Sequence, residues 1–237
     1  MKRSITLMLL FAAACSPTEQ QSTDLPTALQ PANLVEQVIE VPDFADFLAV
    51  DGDTVWATNR GRVEQWSTGG MLVSVKMPRP CGTMAIFADS LWVANCEDAN
   101  LYRINLETAE VEAMIATGIA NPKGETNVVA GAGSIWVPSD AEGKIARVDP
   151  ETNEVIATID VAPQTFFLAY GLDALWAVSS EGRSIERIDP ATNKVTGSTE
   201  LGKQPGFLAA GEGGVWVQEQ GDGTVARIDP ETVTVTG

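Results

Sequence analysis

Histidine is missing from the chain, and cations are scarce: 15 Lys and Arg stand against 32 Asp and Glu, for a formal net charge of −17. Without His the commonest general base is gone, and so is a favoured ligand of zinc, copper and haem. Any catalysis would fall to carboxylates, Lys, Tyr or a hard metal ion held by oxygen. The acidic balance repels nucleic acid and anionic headgroups, and no basic patch offsets it, so nucleic acid is excluded as a partner. Nucleophile-elbow, Walker, CxxC and HExxH patterns are all absent. GDGT at Gly221–Thr224 is a turn between strands rather than a calcium loop, because its carboxylates do not recur at ligand spacing. Apolar runs are short as well. The N-terminal one covers about ten residues, half of what a membrane-spanning helix requires.

That run has a specific context. In MKRSITLMLLFAAACSP, Lys2 and Arg3 precede an apolar core from Ile5 to Phe11, and three alanines lead to Cys15. Residues 1–14 read as a signal peptide. A Cys directly after small residues resembles the bacterial lipobox, in which that Cys is acylated and becomes the first residue, although Ala12 stands where Leu is usual. An ordinary signal peptide cut near Ala14 is the alternative. Ser16 resembles the outer-membrane sorting pattern, so the expected location is the cell envelope: an outer-membrane lipoprotein facing the periplasm, with the bilayer as partner through Cys15. Residues 15–33, rich in Ser, Thr, Pro and Gln, read as a flexible tether, and residues 34–237 as the folded domain.

The domain is repetitive. SIWVPSDAEGKIARVDPET (Ser134–Thr152) returns as ALWAVSSEGRSIERIDPAT (Ala174–Thr192) and GVWVQEQGDGTVARIDPET (Gly214–Thr232), with older copies at Ser90 and Thr54. The anchoring residues Trp56, Trp92, Trp136, Trp176 and Trp216 are 36, 44, 40 and 40 residues apart. A period near 40 built from strands and turns predicts an all-β β-propeller of four-stranded blades. In blade three the expected strands are A at 127–130, B at 134–138, C at 144–149 and D at 154–161. The Trp on strand B is the large filler between blades, burying on the order of 200 Å². An Arg follows eleven residues later (Arg103, Arg147, Arg187, Arg227), with Asp149, Asp189 and Asp229 two positions on. Pairing of these charges along or between blades is expected. Leu34–Pro42 resembles a strand D and would close the ring as the outer strand of the last blade. The final ETVTVTG enters its own strand D by only about three residues. Five blades are visible, which reads as a shortened six- or seven-bladed ring, with a compact five-bladed ring as the alternative.

Function must lie in what fails to repeat. Cys81 and Cys96 flank the A–B turn of blade two, and their numbers sum to 177, the register sum of a hairpin centred between Ala88 and Asp89. Cross-strand neighbours lie close enough for a disulfide, and an oxidising compartment favours one, with two buried thiols or a redox pair as the alternatives. Nine residues before each Trp the series reads Phe47, Thr83, Asn127, Phe167, Phe207, so blades two and three replace an aromatic by a polar group. The connection into blade three, TGIANPKGETN (Thr117–Asn127), is the longest. Asn121, Lys123, Glu125, Asn127 and Thr83, with Arg60 at the end of strand B in blade one, would gather at one sector of the channel mouth as candidate ligand-binding residues.

The pattern LWV…G…V.RIDP.T..V.ATI resembles YVTN-type propeller repeats over roughly residues 35–237, and is similar to virginiamycin B lyase-like and quinoprotein amine dehydrogenase β-chain-like propellers. The lyase branch relies on a catalytic His with magnesium, and no residue here can take that role. Resemblance to lactonase-type propellers would imply a Glu/Asn/Asp calcium site, for which Glu125 and Asn127 are the only candidates. The expectation is therefore a lipid-anchored envelope propeller acting as a non-catalytic module for a protein or small-molecule ligand, without cofactor. The alternative is a metal-dependent lyase or lactonase-like hydrolase using Ca or Mg at the channel mouth.

Overall fold

The computed structural model describes residues 38–237; the signal peptide, Cys15, the tether and residues 34–37 lie outside them. The described residues form twenty strands and no helix, arranged as five antiparallel sheets of four strands in the order A-B-C-D. The chain is an all-β propeller of four-stranded blades. In blade three the strands are Val129–Gly131, Ser134–Asp140, Lys144–Asp149 and Glu154–Asp160. Strand A thus starts two residues later than the repeat suggests, because Asn127 is engaged in a parallel bridge to Thr83 of blade two.

Local chemistry sets each reversal. Four of the five A–B turns place both central residues at positive φ: Ala88 and Asp89, Ala132 and Gly133, Leu172 and Asp173, Glu212 and Gly213. That is the turn whose twist matches the right-handed twist of the strands it joins. In the C–D turns the Asp carboxylate caps the chain, accepting from the backbone amide two residues on: Glu151 (2.8 Å), Ala191 (2.9 Å) and Glu231 (3.0 Å). In blades one to four a register shift falls at the same point of the C–D pair, a bulge that increases the twist of the outer strand.

The expected Arg–Asp pairs do not form, because the Asp residues are occupied with these caps. The Arg side chains instead lie over the Trp rings, with Arg103 at 5.3 Å from Trp92, Arg147 at 4.7 Å from Trp136 and Arg227 at 5.8 Å from Trp216. Arg103 also donates to the Pro150 carbonyl (2.7 Å) and to Asn153 Oδ1 (3.1 Å), and Arg147 to the Pro190 carbonyl (2.6 Å) and Asn193 Oδ1 (2.8 Å). Each thereby ties its own blade to the Asp-Pro turn of the next. In blade five Val233 replaces that Asn, and Arg187 donates to Thr196 of its own blade.

Apolar packing repeats with the blades. Trp56 packs with Leu91, Val93 and Ile104 of blade two, and Trp92 with Ile135, Val137 and Val148 of blade three. Trp136 meets Leu175, Ala177 and Ile188 of blade four; Trp176 meets Val215, Val217 and Ile228 of blade five. Five blades thus share four seams, each with its own core. Where strands A converge, Gly131 admits the Tyr170 ring, which lies 2.0 Å from where a Cβ would stand. At the hub, Phe207 lies 4.7 Å from Phe167 and 6.3 Å from Phe47.

The described part of the proposed closing strand, Val38–Pro42, forms no strand. Pro42 instead offers its carbonyl to Asn59 Nδ2 (2.8 Å) and to Arg62 (3.3 Å). The outer strand of blade five is its own Thr234–Val235, against seven residues in blades one, three and four.

Candidate functional site

Three connections that depart from the repeat come together at one end of blades one to three. Between them lies a cavity of about 400 Å³ lined by Phe44, Asp46, Arg60, Arg79, Lys123 and Glu125, among others. A polar layer behind it fixes the blade-one side. Asn59 is buried and fully used: its Oδ1 accepts from the amides of Phe44 (3.0 Å) and Arg60 (2.7 Å), and its Nδ2 donates to Pro42 and to Glu64 Oε2 (3.0 Å). Glu64, also buried, is neutralised by Arg62 at 2.6 Å, and Arg62 reaches Asp43 at 2.9 Å. With both ends held, the Arg60 guanidinium sits 5.5 Å over the Phe44 ring.

The blade-two side is held by the Cys81–Cys96 disulfide, with Cα atoms 5.8 Å apart. The hairpin register that holds at Ala85↔Trp92 has shifted by the time the strands reach the bridge Pro80↔Asn95. Arg79 is anchored by its amide to Asn95 Oδ1 (2.8 Å) and by its guanidinium to the Pro122 carbonyl (2.7 Å). The connections into blades two and three are thus tied side by side. Gly82, at φ +90°, makes this approach possible: a Cβ there would fall 1.7 Å from the Thr126 carbonyl oxygen.

On the blade-three side, Asn121 Nδ2 donates to the Glu125 carbonyl (3.0 Å) and rounds off the loop carrying Lys123. Burial, with a smaller push from Asp46, raises the Glu125 carboxyl above the usual range. Two carboxylates therefore share one side of the cavity. Among the described residues, Arg60, Arg79, Lys123, Asp46 and Glu125 form no ion pair.

Of the residues singled out from sequence, Arg60, Lys123 and Glu125 line the cavity, and Asn121 supports it from behind. Thr83 and Asn127 do not line it. They knit strands A together: Asn127 Nδ2 donates to the Leu168 carbonyl (3.0 Å), its amide to the Phe166 carbonyl (3.2 Å), and the Val128 amide to the Thr83 carbonyl (3.3 Å). Asp46 and Arg79 were not marked by the repeat alignment. Arg79 carried one usable sign, its place in MPRPCGT, where two prolines and a Cys interrupt the blade pattern.

Metal chemistry finds few donors. No group of three or more Cys, Asp or Glu gathers among the described residues. Asn127 donates through Nδ2 to the Leu168 carbonyl, and its Oδ1 is buried without a hydrogen-bond partner. Glu125 lines the cavity of blades one to three and Asn127 lines another among strands A, so the two do not share one calcium site, and no step is derived through one.

No protein-family model matches the chain, and no curated protein matches it. Among solved structures it is similar to a streptogramin B lyase, with 17% identity and a TM-score of 0.67 over 81% of this chain and 67% of that one. It is also similar to BamB from Moraxella catarrhalis, with 14% identity and a TM-score of 0.63 over 80% of this chain and 62% of that one. The computationally designed Ika8 protein gives 14% and 0.67 over 85% and 64%. The likeness is one of fold. This chain spans about two thirds of the length of each of these proteins, and at such identities the shared architecture says nothing of a shared activity.

Proposed function

We propose that this chain is a non-catalytic binding module of the cell envelope, anchored through acylated Cys15, whose cavity at blades one to three takes a small ligand with an anionic group. One observation carries the reading. In a chain of net charge −17, three cations (Arg60, Arg79 and Lys123) line one cavity without an ion-pair partner among the described residues. Elsewhere Arg62, Arg103, Lys144, Arg183 and Lys203 each meet a carboxylate, while Lys76, Arg147, Arg187, Lys194 and Arg227 form no ion pair either; what sets Arg60, Arg79 and Lys123 apart is their convergence on one cavity. An anion entering the cavity would supply the missing counter-charge in a partly desolvated place, where it is worth more than at the open surface.

Phosphate, citrate and glutamate serve as probes in thermal-shift titrations, since a ligand that binds only the folded state raises the midpoint with its concentration. At least one of them should raise the midpoint of the wild type, and R60A/K123A should abolish the shift. A shift from none of them, or one retained by the double variant, would refute the reading. The effect should weaken as pH rises, because Glu125 holds its proton to a higher pH than usual and repels an anion once ionised. Glu125→Gln should keep the shift at high pH.

Anchoring is tested by fractionation: the wild type should sediment with membranes and C15A should be soluble. Equal partition of the two would exclude a lipid anchor. The metal-dependent lyase or hydrolase reading would need donors that the cavity does not gather. Calorimetric titration with calcium and magnesium is expected to give no stoichiometric binding.

A further inference from the structure

The cavity at blades one to three carries charge of both signs, and its negative part has a pattern of its own. Asp46 stands in the connection into blade one, where its amide donates to the Thr58 carbonyl at 3.1 Å. Glu125 stands in the connection into blade three, its carbonyl held by Asn121 Nδ2 at 3.0 Å. The fold brings these two carboxylates together from separate connections. They are near enough that Asp46 adds to the effect of burial in opposing the ionisation of Glu125. Arg60, Arg79 and Lys123 line the same cavity, yet among the described residues none of them closes on either carboxylate as an ion pair.

Two like charges gathered beside three opposite ones, all left unpaired, are unfavourable for the protein alone and suited to a ligand of the inverse pattern. A plain anion answers the cations only, and it adds a further negative charge next to Asp46 and Glu125. An ammonium group presents three donors, enough to serve both carboxylates at once. Charge balance sets the remainder. With both carboxylates ionised, the three cations leave one positive charge over, so the complementary ligand carries one ammonium and two acid groups. The Phe44 ring, exposed on the cavity wall, offers apolar surface to the short carbon chain between them. A space of about 400 Å³ accommodates a molecule the size of a free amino acid. We infer that the cavity is built for an acidic α-amino compound, its ammonium set between Asp46 and Glu125 and its two acid groups turned to Arg60, Arg79 and Lys123. The inference rests on the anion-binding reading proposed above and narrows it.

Glutamate and glutarate form a matched pair of probes, since they share the same diacid chain and differ by the ammonium. In thermal-shift titrations at matched ionic strength, glutamate should reach its half-maximal shift at about tenfold lower concentration than glutarate, the worth of one charge-assisted contact. γ-Aminobutyrate, which keeps the ammonium and loses one acid group, should fall behind glutamate by about tenfold as well. D46N/E125Q should erase the advantage of glutamate while the glutarate shift persists, which separates loss of the ammonium site from loss of the fold. For a plain anion that change relieves repulsion; for glutamate it removes the acceptors. Equal potency of glutamate with glutarate or with γ-aminobutyrate, or an advantage that survives in D46N/E125Q, would overturn this inference and leave the anion reading standing. A shift from phosphate or citrate with none from glutamate would do the same. The absence of a shift from every one of these probes would overturn both.

Discussion

Trp136→Ala should lower the stability of the domain by about 3–5 kcal/mol, a shift in midpoint on the order of 10 °C. Trp216→Ala should cost no more than about 1–2 kcal/mol, because solvent replaces part of the lost contact. The two residues occupy the same place in the repeat and differ in what covers them. Trp136 is fully buried among Ile145, Ile159, Leu168, Leu175 and Ile188. Its indole N–H donates to the Gly131 carbonyl at 3.0 Å, and Arg147 lies over its ring. Removing it opens a cavity in the seam between blades three and four, takes one donor from the Gly131 carbonyl, and deprives Arg147 of the surface that orients it toward Pro190. Chemical denaturation of both variants decides the matter: equal losses would mean that the Trp ladder does not act through the seams.

The second large effect is expected from the disulfide. Replacing Cys81 and Cys96 together by serine should cost about 2–4 kcal/mol, since the bond closes a loop of 15 residues and restrains the unfolded chain. The consequence should be local as well. Cys81 lines the cavity, and the Cys96 amide donates to the Arg79 carbonyl at 2.9 Å, so the bond holds the strand that presents Arg79. Any anion-dependent thermal shift should therefore shrink in the double variant by more than the stability loss explains. Both cysteines are buried, so reduction of the native protein should be slow and should speed up with sub-denaturing urea. An unchanged midpoint in the double variant would show that the bond contributes nothing to the fold.

The repeat made the architecture legible, because a strand-and-turn period near 40 admits few folds, and Gly, Asp and Asn marked the reversals. Charge pairing was misread. Arg147 and Asp149 share a strand face, but the capping demand of the Asp-Pro turn is local and takes the carboxylate first, leaving the guanidinium to reach the neighbouring blade. Of the expected closing strand Leu34–Pro42, only residues 38–42 are described; they form no strand, and Pro42 offers its carbonyl to Asn59 and Arg62. At the cavity, Arg60, Lys123 and Glu125 stood out because they break the repeat at aligned positions. Asp46 and Arg79 did not, because what brings them in is contact between connections, above all the bond from Arg79 to Pro122, which lies 43 residues away. Thr83 and Asn127 were seen as departures; they lie off the cavity of blades one to three and line a second one among strands A. A polar residue in place of Phe can also serve the backbone of the next strand.

The near-identity of the seams raises a question of order during folding. If every Trp face can accept every aliphatic face, a blade placed one position too early costs little locally, and the chain risks becoming trapped in a misthreaded arc. The irregular features of blades two and three remove that ambiguity. Gly82 against Thr126 and the Thr83–Asn127 bridge join blade two to blade three, and the Cys81–Cys96 link braces the blade-two side of that junction. They act as an address written into two neighbouring units, and the more uniform blades that follow need only count outward from it.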